Sequence, residues 1–204
     1  MDIDTLELPQ RLTVGDYHRL IEAGVFGELR VELIDGKVSP MSPMNPAHAS
    51  ALTRLTRLFD ALFDEGTAAI RQQCPVSLGE GWEPHPDLVV ASPGEWEDTH
   101  PRPEDIQLII EVSDSTIRED FARKIPRYAR EGVAEVWIVD LTTDLVHVHR
   151  DPDPAGRYVT EFDAKIDEDI AIVAFADIAI PAARLFPASR ANKQDAVSST
   201  PRSK

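Results

Sequence analysis

The chain has few of the residues that build disulfide-bonded or membrane-anchored proteins. Cys74 is its single cysteine among 204 residues, which excludes an internal disulfide and a metal site made of cysteines alone. No apolar run approaches the roughly 20 residues that cross a bilayer, and the first residues carry acids where a signal peptide carries bases. We therefore expect no membrane association and a reducing, cytoplasmic setting, with Cys74 as a small buried side chain.

Positive charge is also scarce. The 36 acidic residues outnumber the 21 lysines and arginines, which gives a formal net charge of −15. Proteins that grip nucleic acid through its phosphates usually present an excess of basic residues. The deficit is smaller locally, because Arg54 and Arg57 share one predicted helix and a second predicted helix carries Arg118, Arg123, Lys124, Arg127 and Arg130. A positive rim on an acidic body is compatible with this distribution.

Several common functional motifs are missing as well. The sequence holds no internal repeat, Walker loop, dinucleotide-binding fingerprint or Gly-x-Ser-x-Gly elbow. Its 42% hydrophobic content is enough for one domain that buries roughly 70% of the surface of the unfolded chain. We expect a lead-in over residues 1–12, one domain over 13–186 and a disordered tail over 187–204, where apolar residues are few.

Apolar periodicity predicts the order of the elements. Helices are predicted over about 13–23, 47–65 and 117–131, and a hairpin is predicted over 29–38 around Asp35-Gly36. Further strands are predicted at 68–78, 87–91, 106–112, 135–140, 145–150, 158–162, 170–173 and 178–180, followed by a short helix that ends at Phe186. This alternation predicts an α/β protein.

Two acids stand at the ends of predicted buried strands. Asp87 opens the run Asp87-Leu-Val-Val-Ala91, and Glu111 closes a run that begins at Ile106. Burying an unpaired carboxylate is costly, so each acid needs a partner. Lys124 follows on the next helix, within reach of both. Two carboxylates and a lysine are the minimum set for a divalent-metal phosphodiesterase, and the carbonyl of Val112 would add another hard oxygen ligand.

The same spacing permits purely structural roles. Asp87 would then be a loop residue that accepts backbone amides, Glu111 would pair with an arginine, and Lys124 would be solvated. Both interpretations stay open at the level of spacing.

Other polar residues near these elements have two possible roles each, one structural and one functional. Glu32 lies either on a solvated edge-strand face or in a site, and Tyr128 either packs in the core or offers its hydroxyl to the site. His48, at the start of a helix, is either a surface group or a catalyst, and the surface position is the expected one. His147 and His149 share a strand face, and their period is that of a solvated sheet face rather than of a metal pair.

Five sequence blocks occur in an order that resembles a known family. They are Glu32-Leu-Ile-Asp-Gly36, Pro86-Asp87, Glu111-Val-Ser-Asp-Ser-Thr116, Asp120 with Lys124 and Tyr128, and Gly132-Val-Ala-Glu-Val-Trp-Ile-Val-Asp140. Together they resemble the Uma2 family of restriction endonucleases within the PD-(D/E)XK nuclease superfamily. The resemblance covers roughly Thr13 to Phe186.

The resemblance implies a restriction-endonuclease-like core, with a mixed central β-sheet flanked by α-helices. It implies that Asp87 and Glu111 bind the metal, that Lys124 is the catalytic lysine, moved from strand to helix, and that Glu32 is an auxiliary catalytic acid.

The sequence departs from the family pattern at three positions. Ser113 stands where the superfamily's commoner pattern has its lysine, and Val136 replaces a tyrosine of the family. Pro126 interrupts the predicted helix that carries Lys124, and a proline there removes a helical hydrogen bond. The change at Val136 is one of packing, whereas Pro126 bears on where the lysine lies.

The expected function is a Mg²⁺- or Mn²⁺-dependent endonuclease that acts on DNA, as a homodimer because double-strand cleavage needs two sites. Two alternatives remain. One is a catalytically silent nuclease fold kept as a binding or regulatory module, which the net charge of −15 would suit. The other is a phosphoesterase for a small substrate, which needs no surface that follows a phosphate backbone.

Overall fold

The structure is a computed structural model that describes residues 11–114 and 118–188, with the side chains of 118–121 excepted. The predicted lead-in and tail fall almost wholly outside these ranges, and so do Ser115 and Thr116 of the family motif and the side chain of Asp120. Within the described ranges, no helix combines the length and the apolar character needed to cross a membrane.

The chain starts with a helix, a hairpin and a second helix. Helix α1 spans Val14–Glu22, strands β1 (Val31–Ile34) and β2 (Lys37–Pro40) form an antiparallel pair, and helix α2 spans Pro46–Leu62. Local chemistry sets these boundaries. Thr13 and Asp16 form a capping box on α1, and Asn45 caps α2 ahead of Pro46. Asp35 and Gly36 adopt positive φ values of 51° and 69°, as a two-residue hairpin turn requires.

A six-stranded mixed sheet forms the centre of the molecule. Its strands are β3 (Ala69–Gln72), β4 (Leu88–Ala91), β5 (Ile106–Ser113), β6 (Glu135–Asp140), β7 (Leu145–Asp153) and β8 (Arg157–Lys165), in that order. Only β5 and β6 run parallel, and helix α3 (Arg118–Glu131) connects them. The chain then forms the antiparallel pair β9 (Asp169–Ile172) and β10 (Phe175–Pro181) and a 3₁₀ helix over Ala182–Leu185.

Helices cover both faces of this sheet. On one face, α2 buries Leu52, Leu55 and Phe59 in a cluster with Leu88 and Ile110 of the sheet. On the other face, α3 packs in a second cluster, whose buried members include Val89, Ile109, Tyr128, Ala129 and Val136. The alternation of strand residues between the two clusters explains why β4 and β5 read as continuous apolar runs. The predicted α/β class, with a mixed sheet flanked by helices, is confirmed.

Three local predictions differ from the structure. The strand predicted over 68–78 ends at Gln72, because Gln73 takes a positive φ of 48° and Pro75 follows. Strand β7 continues through Pro152 to Asp153, whereas the strand predicted from the sequence ends at residue 150. Its pairing with β6 ends at Arg150, so this proline leaves no ladder bond unmade on that side. Cys74 is half-buried rather than fully buried.

Candidate active site

Strand pairing brings Asp87 and Glu111 to the same edge of the sheet. Strands β4 and β5 are antiparallel with Leu88 opposite Ile110, so the residue before β4 lies beside the residue near the end of β5. Both acids line one cavity of about 400 Å³, and Glu32, Val112 and Lys124 line it too. We call this cavity the carboxylate cleft, and Glu32, Asp87, Glu111 and Lys124 are among the charged residues that line it.

The carboxylate of Asp87 is buried and held from three directions. Only 7% of the residue is exposed. Its Oδ2 accepts the backbone N–H of Val112 at 2.8 Å, and its Oδ1 lies 2.9 Å from Nε2 of His48 and 3.3 Å from Nε2 of Gln73. These bonds fix the side chain, and Oδ2, which accepts a single hydrogen bond, keeps a lone pair for a further ligand.

Glu111 is equally buried and sits among like charges. Its Oε1 accepts the Tyr128 hydroxyl at 2.8 Å and lies 3.5 Å from Nζ of Lys124. Burial raises the pKa of Glu111, and the charges of Asp87 and Glu32 raise it further, while Lys124 and the Tyr128 hydroxyl act in the opposite direction. The carboxylate is therefore poised to gain from a nearby cation.

Lys124 lies between two carboxylates. Its Nζ is 3.5 Å from Glu111 and 3.7 Å from Oε2 of Glu32, and its side chain is only 13% exposed. Glu32 comes from β1 and accepts the backbone N–H of His85 at 3.3 Å. The helix therefore brings Lys124 to the cleft although Pro126 lies within it.

The structure thus brings together every residue that the sequence placed in a site. The purely structural interpretation is also partly realised, since Asp87 accepts a backbone amide. Tyr128 combines both of its readings, because its ring is fully buried and its hydroxyl donates to Glu111.

The prediction of a surface position for His48 was wrong. Its side chain is 14% exposed and pairs with Asp87, and that hydrogen bond raises the pKa of His48. The first turn of α2 docks on the cleft, which helical periodicity does not reveal. Other polar residues of the cleft were given no role from the sequence, namely Asn45, Gln73, His85 and Asp114. Asn45 both caps α2 and donates to Asp114, so a capping signal was present but its second role was not.

His147 and His149 lie away from the cleft. Each imidazole contacts a carboxylate of β8: His147 Nδ1 is 2.6 Å from Asp163, and His149 Nδ1 is 2.8 Å from Glu161. This arrangement is the polar sheet face that their spacing predicts.

The donor atoms of the carboxylate cleft suit a divalent ion of the Mg²⁺ class. Four acidic residues line the cavity and offer hard oxygen ligands, namely Glu32, Asp87, Glu111 and Asp114. The lining also contains two basic residues, Arg123 and Lys124. Negative charge is therefore in excess within a partly dry site, and burial together with the charges of Asp87 and Glu32 raises the pKa of Glu111. A divalent cation would relieve this repulsion.

Comparisons with known proteins point to a nuclease family. A family model described as "Putative restriction endonuclease", Uma2, matches residues 14–181. A crystal structure of a "putative nuclease belonging to DUF820" from Anabaena variabilis ATCC 29413 superimposes with a TM-score of 0.67. The superposition covers 86% of this chain and 97% of that one at 16% sequence identity, which shows a shared fold. No curated protein matches the chain.

Proposed function

Because the chain belongs to the Uma2 family of restriction-endonuclease-like proteins, we propose that it is a Mg²⁺- or Mn²⁺-dependent endonuclease that hydrolyses DNA phosphodiester bonds. The observation that carries this proposal is the carboxylate cleft. Two buried acids and a lysine from three separate elements meet there, which general packing of a core does not require.

We assign the metal to Asp87 and Glu111, with the Val112 carbonyl as a further ligand and Glu32 as an auxiliary acid. A bound divalent ion would supply charge neutralisation at the phosphate and acidify a water molecule. Lys124 would hold a phosphate oxygen or the attacking water, and the position of its ammonium beside both Glu111 and Glu32 supports this role.

Residues behind the acids orient them. His48 and the backbone N–H of Val112 hold the two oxygens of Asp87, and Tyr128 holds one oxygen of Glu111. Hydrogen bonds of this kind, made to a metal-binding side chain, fix its direction and stabilise its charged form.

Cleavage of plasmid DNA with Mn²⁺ or Mg²⁺ tests the proposal. We expect Asp87→Asn, Glu111→Gln and Lys124→Ala each to lower the rate at least about 100-fold, because each removes transition-state stabilisation. Asp163→Asn is the matched control, since this carboxylate lies on the exposed face of β8. Cleavage that survives all three cleft substitutions would show that the activity lies elsewhere.

The net charge of −15 favours one second candidate, a phosphoesterase that acts on a small substrate. A cavity of about 400 Å³ has room for a nucleotide-sized molecule. Hydrolysis of a small phosphodiester without plasmid cleavage, lost in Glu111→Gln, would select it. Binding of Mn²⁺ in calorimetry with neither activity would instead indicate a silent binding or regulatory module.

The proposal extends to assembly and location. Cleavage of both DNA strands needs two sites, so we propose a homodimer, which analytical ultracentrifugation tests directly: a monomer bound to cleaved duplex would contradict it. The single half-buried cysteine suits a reducing cytoplasm.

A further inference from the structure

A second cavity lies next to the carboxylate cleft. It encloses about 480 Å³ and shares Gln73 and His85 with the cleft as lining residues. Its lining also contains His18, Glu83 and His100. We call it the histidine cavity after His18, His85 and His100. The nuclease proposal uses none of His18, Glu83 and His100.

His18, Glu83 and His100 come from three separate parts of the chain. His18 lies on α1, Glu83 lies in the segment before β4, and His100 lies between β4 and β5. One ligand atom from each, a ring nitrogen or a carboxylate oxygen, lies within 4.8 Å of the other two. Nε2 of His18 is 2.8 and 3.0 Å from the two oxygens of Glu83, and the two imidazole rings meet edge to face at 6.2 Å.

Glu83 and His100 each hold a polar group away from water. Glu83 is only 2% exposed, so its carboxylate has little contact with water. Nδ1 of His100 is buried without a hydrogen-bond partner among the described residues. A buried polar atom without a partner carries a desolvation penalty, and such an atom in a native protein calls for an explanation.

The protonation state of His100 is the one that a metal requires. Burial lowers the pKa of His100, and the charge of Glu83 opposes this while Arg71 and His18 add to it. The imidazole is therefore neutral at physiological pH and keeps a free lone pair.

We propose that His18, Glu83 and His100 bind one divalent transition-metal ion of the Zn²⁺ class. Two imidazoles and one carboxylate are a ligand set of this class, and the fourth position would face the cavity. Metal–ligand bonds near 2.0–2.2 Å would place the ligand atoms roughly 3.4 Å apart, so small side-chain rotations suffice from the observed spacing. Imidazole ligands also separate this site chemically from the carboxylate cleft, whose hard oxygens suit Mg²⁺.

The ion has a structural consequence. It joins α1 and the connection that carries His100 to the segment around Glu83. The backbone of Glu83 is hydrogen-bonded in both directions to Leu33 of β1, with N···O distances of 2.9 and 3.2 Å. Leu33 follows Glu32, so an ion at Glu83 would brace the strand that supplies the auxiliary acid of the cleft. No chemical step is assigned to it.

Binding of Zn²⁺ and Co²⁺ to the full chain tests the site. The experiment uses an Asp87→Asn background, so that metal bound in the carboxylate cleft does not contribute and the result does not depend on nuclease activity. We expect one Zn²⁺ per chain in calorimetry and the visible absorption of four-coordinate Co²⁺. His18→Gln and His100→Gln should each weaken binding more than about 100-fold, because each removes a direct ligand.

His149→Gln is the matched control. This histidine also pairs with a glutamate, Glu161, but across β7 and β8. The substitution should therefore leave Zn²⁺ binding unchanged. His18 has a side chain that is 43% exposed, so its substitution does not threaten folding, which circular dichroism checks. If the Asp87→Asn protein binds no Zn²⁺ at micromolar concentration, or if it binds Zn²⁺ equally well when His18→Gln is added, His18 and Glu83 form only a hydrogen-bonded pair and the proposal is overturned.

Discussion

At the scale of single residues, the contact of Tyr128 with Glu111 separates packing from function. Tyr128 lies on α3 with its ring buried in the core, and its hydroxyl is 2.8 Å from the buried carboxylate of Glu111. A phenylalanine would keep the packing and remove the donor. The role of the hydroxyl is therefore testable without a large change in the core.

We expect Tyr128→Phe to reduce metal affinity and cleavage about 10–100-fold, because losing a group that orients a ligand has effects of this size. Tyr158→Phe is the control. It removes another buried hydroxyl, which donates to the carbonyl of Val133 at 2.8 Å, and Val133 does not line the cleft. Metal titration and plasmid cleavage should distinguish the variants, and equal losses in both would mean that the effect is general destabilisation.

His85 should make the metal-free protein sensitive to mild acid. Burial lowers the pKa of His85 from 6.5 to about 4, and Arg30, His100 and Lys124 lower it as well. Between those values the unfolded chain binds a proton that the folded chain does not. The free energy of unfolding should therefore fall as pH drops from 6.5 to 4, with a contribution from this residue of at most about 1.4 kcal/mol per pH unit.

Urea denaturation with a chelator between pH 5 and 7 measures this dependence. His85→Gln should flatten the slope, because glutamine takes up no proton. Gln73→Ala changes the wall of the same cavities without removing a titrating group, so its slope should match wild type. An unchanged slope in His85→Gln would assign the acid sensitivity to other groups.

At the scale of secondary structure, the turn between β7 and β8 supports the helix that carries Lys124. Gly156 lies in this turn with a φ of +84°, and a Cβ added there would come within 2.7 Å of the Pro126 carbonyl. The helix and the turn are thus packed backbone to backbone. The placement of Lys124 depends on that close approach as well as on the helix itself.

Gly156→Ala should therefore destabilise the protein by about 1 kcal/mol for the positive φ and by about 1–3 kcal/mol more for the clash with α3. Gly132→Ala is the matched control, because its φ is +85° and a Cβ there would meet nothing within 4 Å. Chemical denaturation compares the two variants. Equal losses of stability in Gly156→Ala and Gly132→Ala would show that the turn shifts to admit the Cβ atom without moving α3.

At the scale of the whole molecule, the net charge of −15 limits how DNA can be held. Among the described residues, the basic side chains that line the cleft are those of Arg123 and Lys124. A footprint of two or three phosphates predicts a modest salt dependence, with affinity falling roughly 10–40-fold between 50 and 200 mM salt. Divalent ions in the cleft would then carry much of the remaining attraction.

Fluorescence anisotropy with labelled duplex DNA, and with Ca²⁺ in place of Mg²⁺, measures the slope of log affinity against log salt concentration. Arg123→Ala should reduce the slope by about one unit, because one phosphate contact is lost. A slope several times steeper in wild type would require a larger basic surface than the cleft provides.

The sequence by itself determined the types and order of the elements. Apolar periodicity, the Asp35-Gly36 turn and the helix caps act over a few residues, so they can be read from the chain directly. The same local patterns placed Asp87 and Glu111 at strand ends, and the order of the sequence blocks indicated the family.

The tertiary structure alone decided which side chains meet. Strand order and register set Asp87 beside Glu111, and the docking of α2 turned His48 towards them, where its sequence position indicated solvent. The cluster of His18, Glu83 and His100 left no sequence signal at all. Contacts between distant segments depend on how amphipathic faces pack against one another, and that information is not contained in any short stretch of sequence.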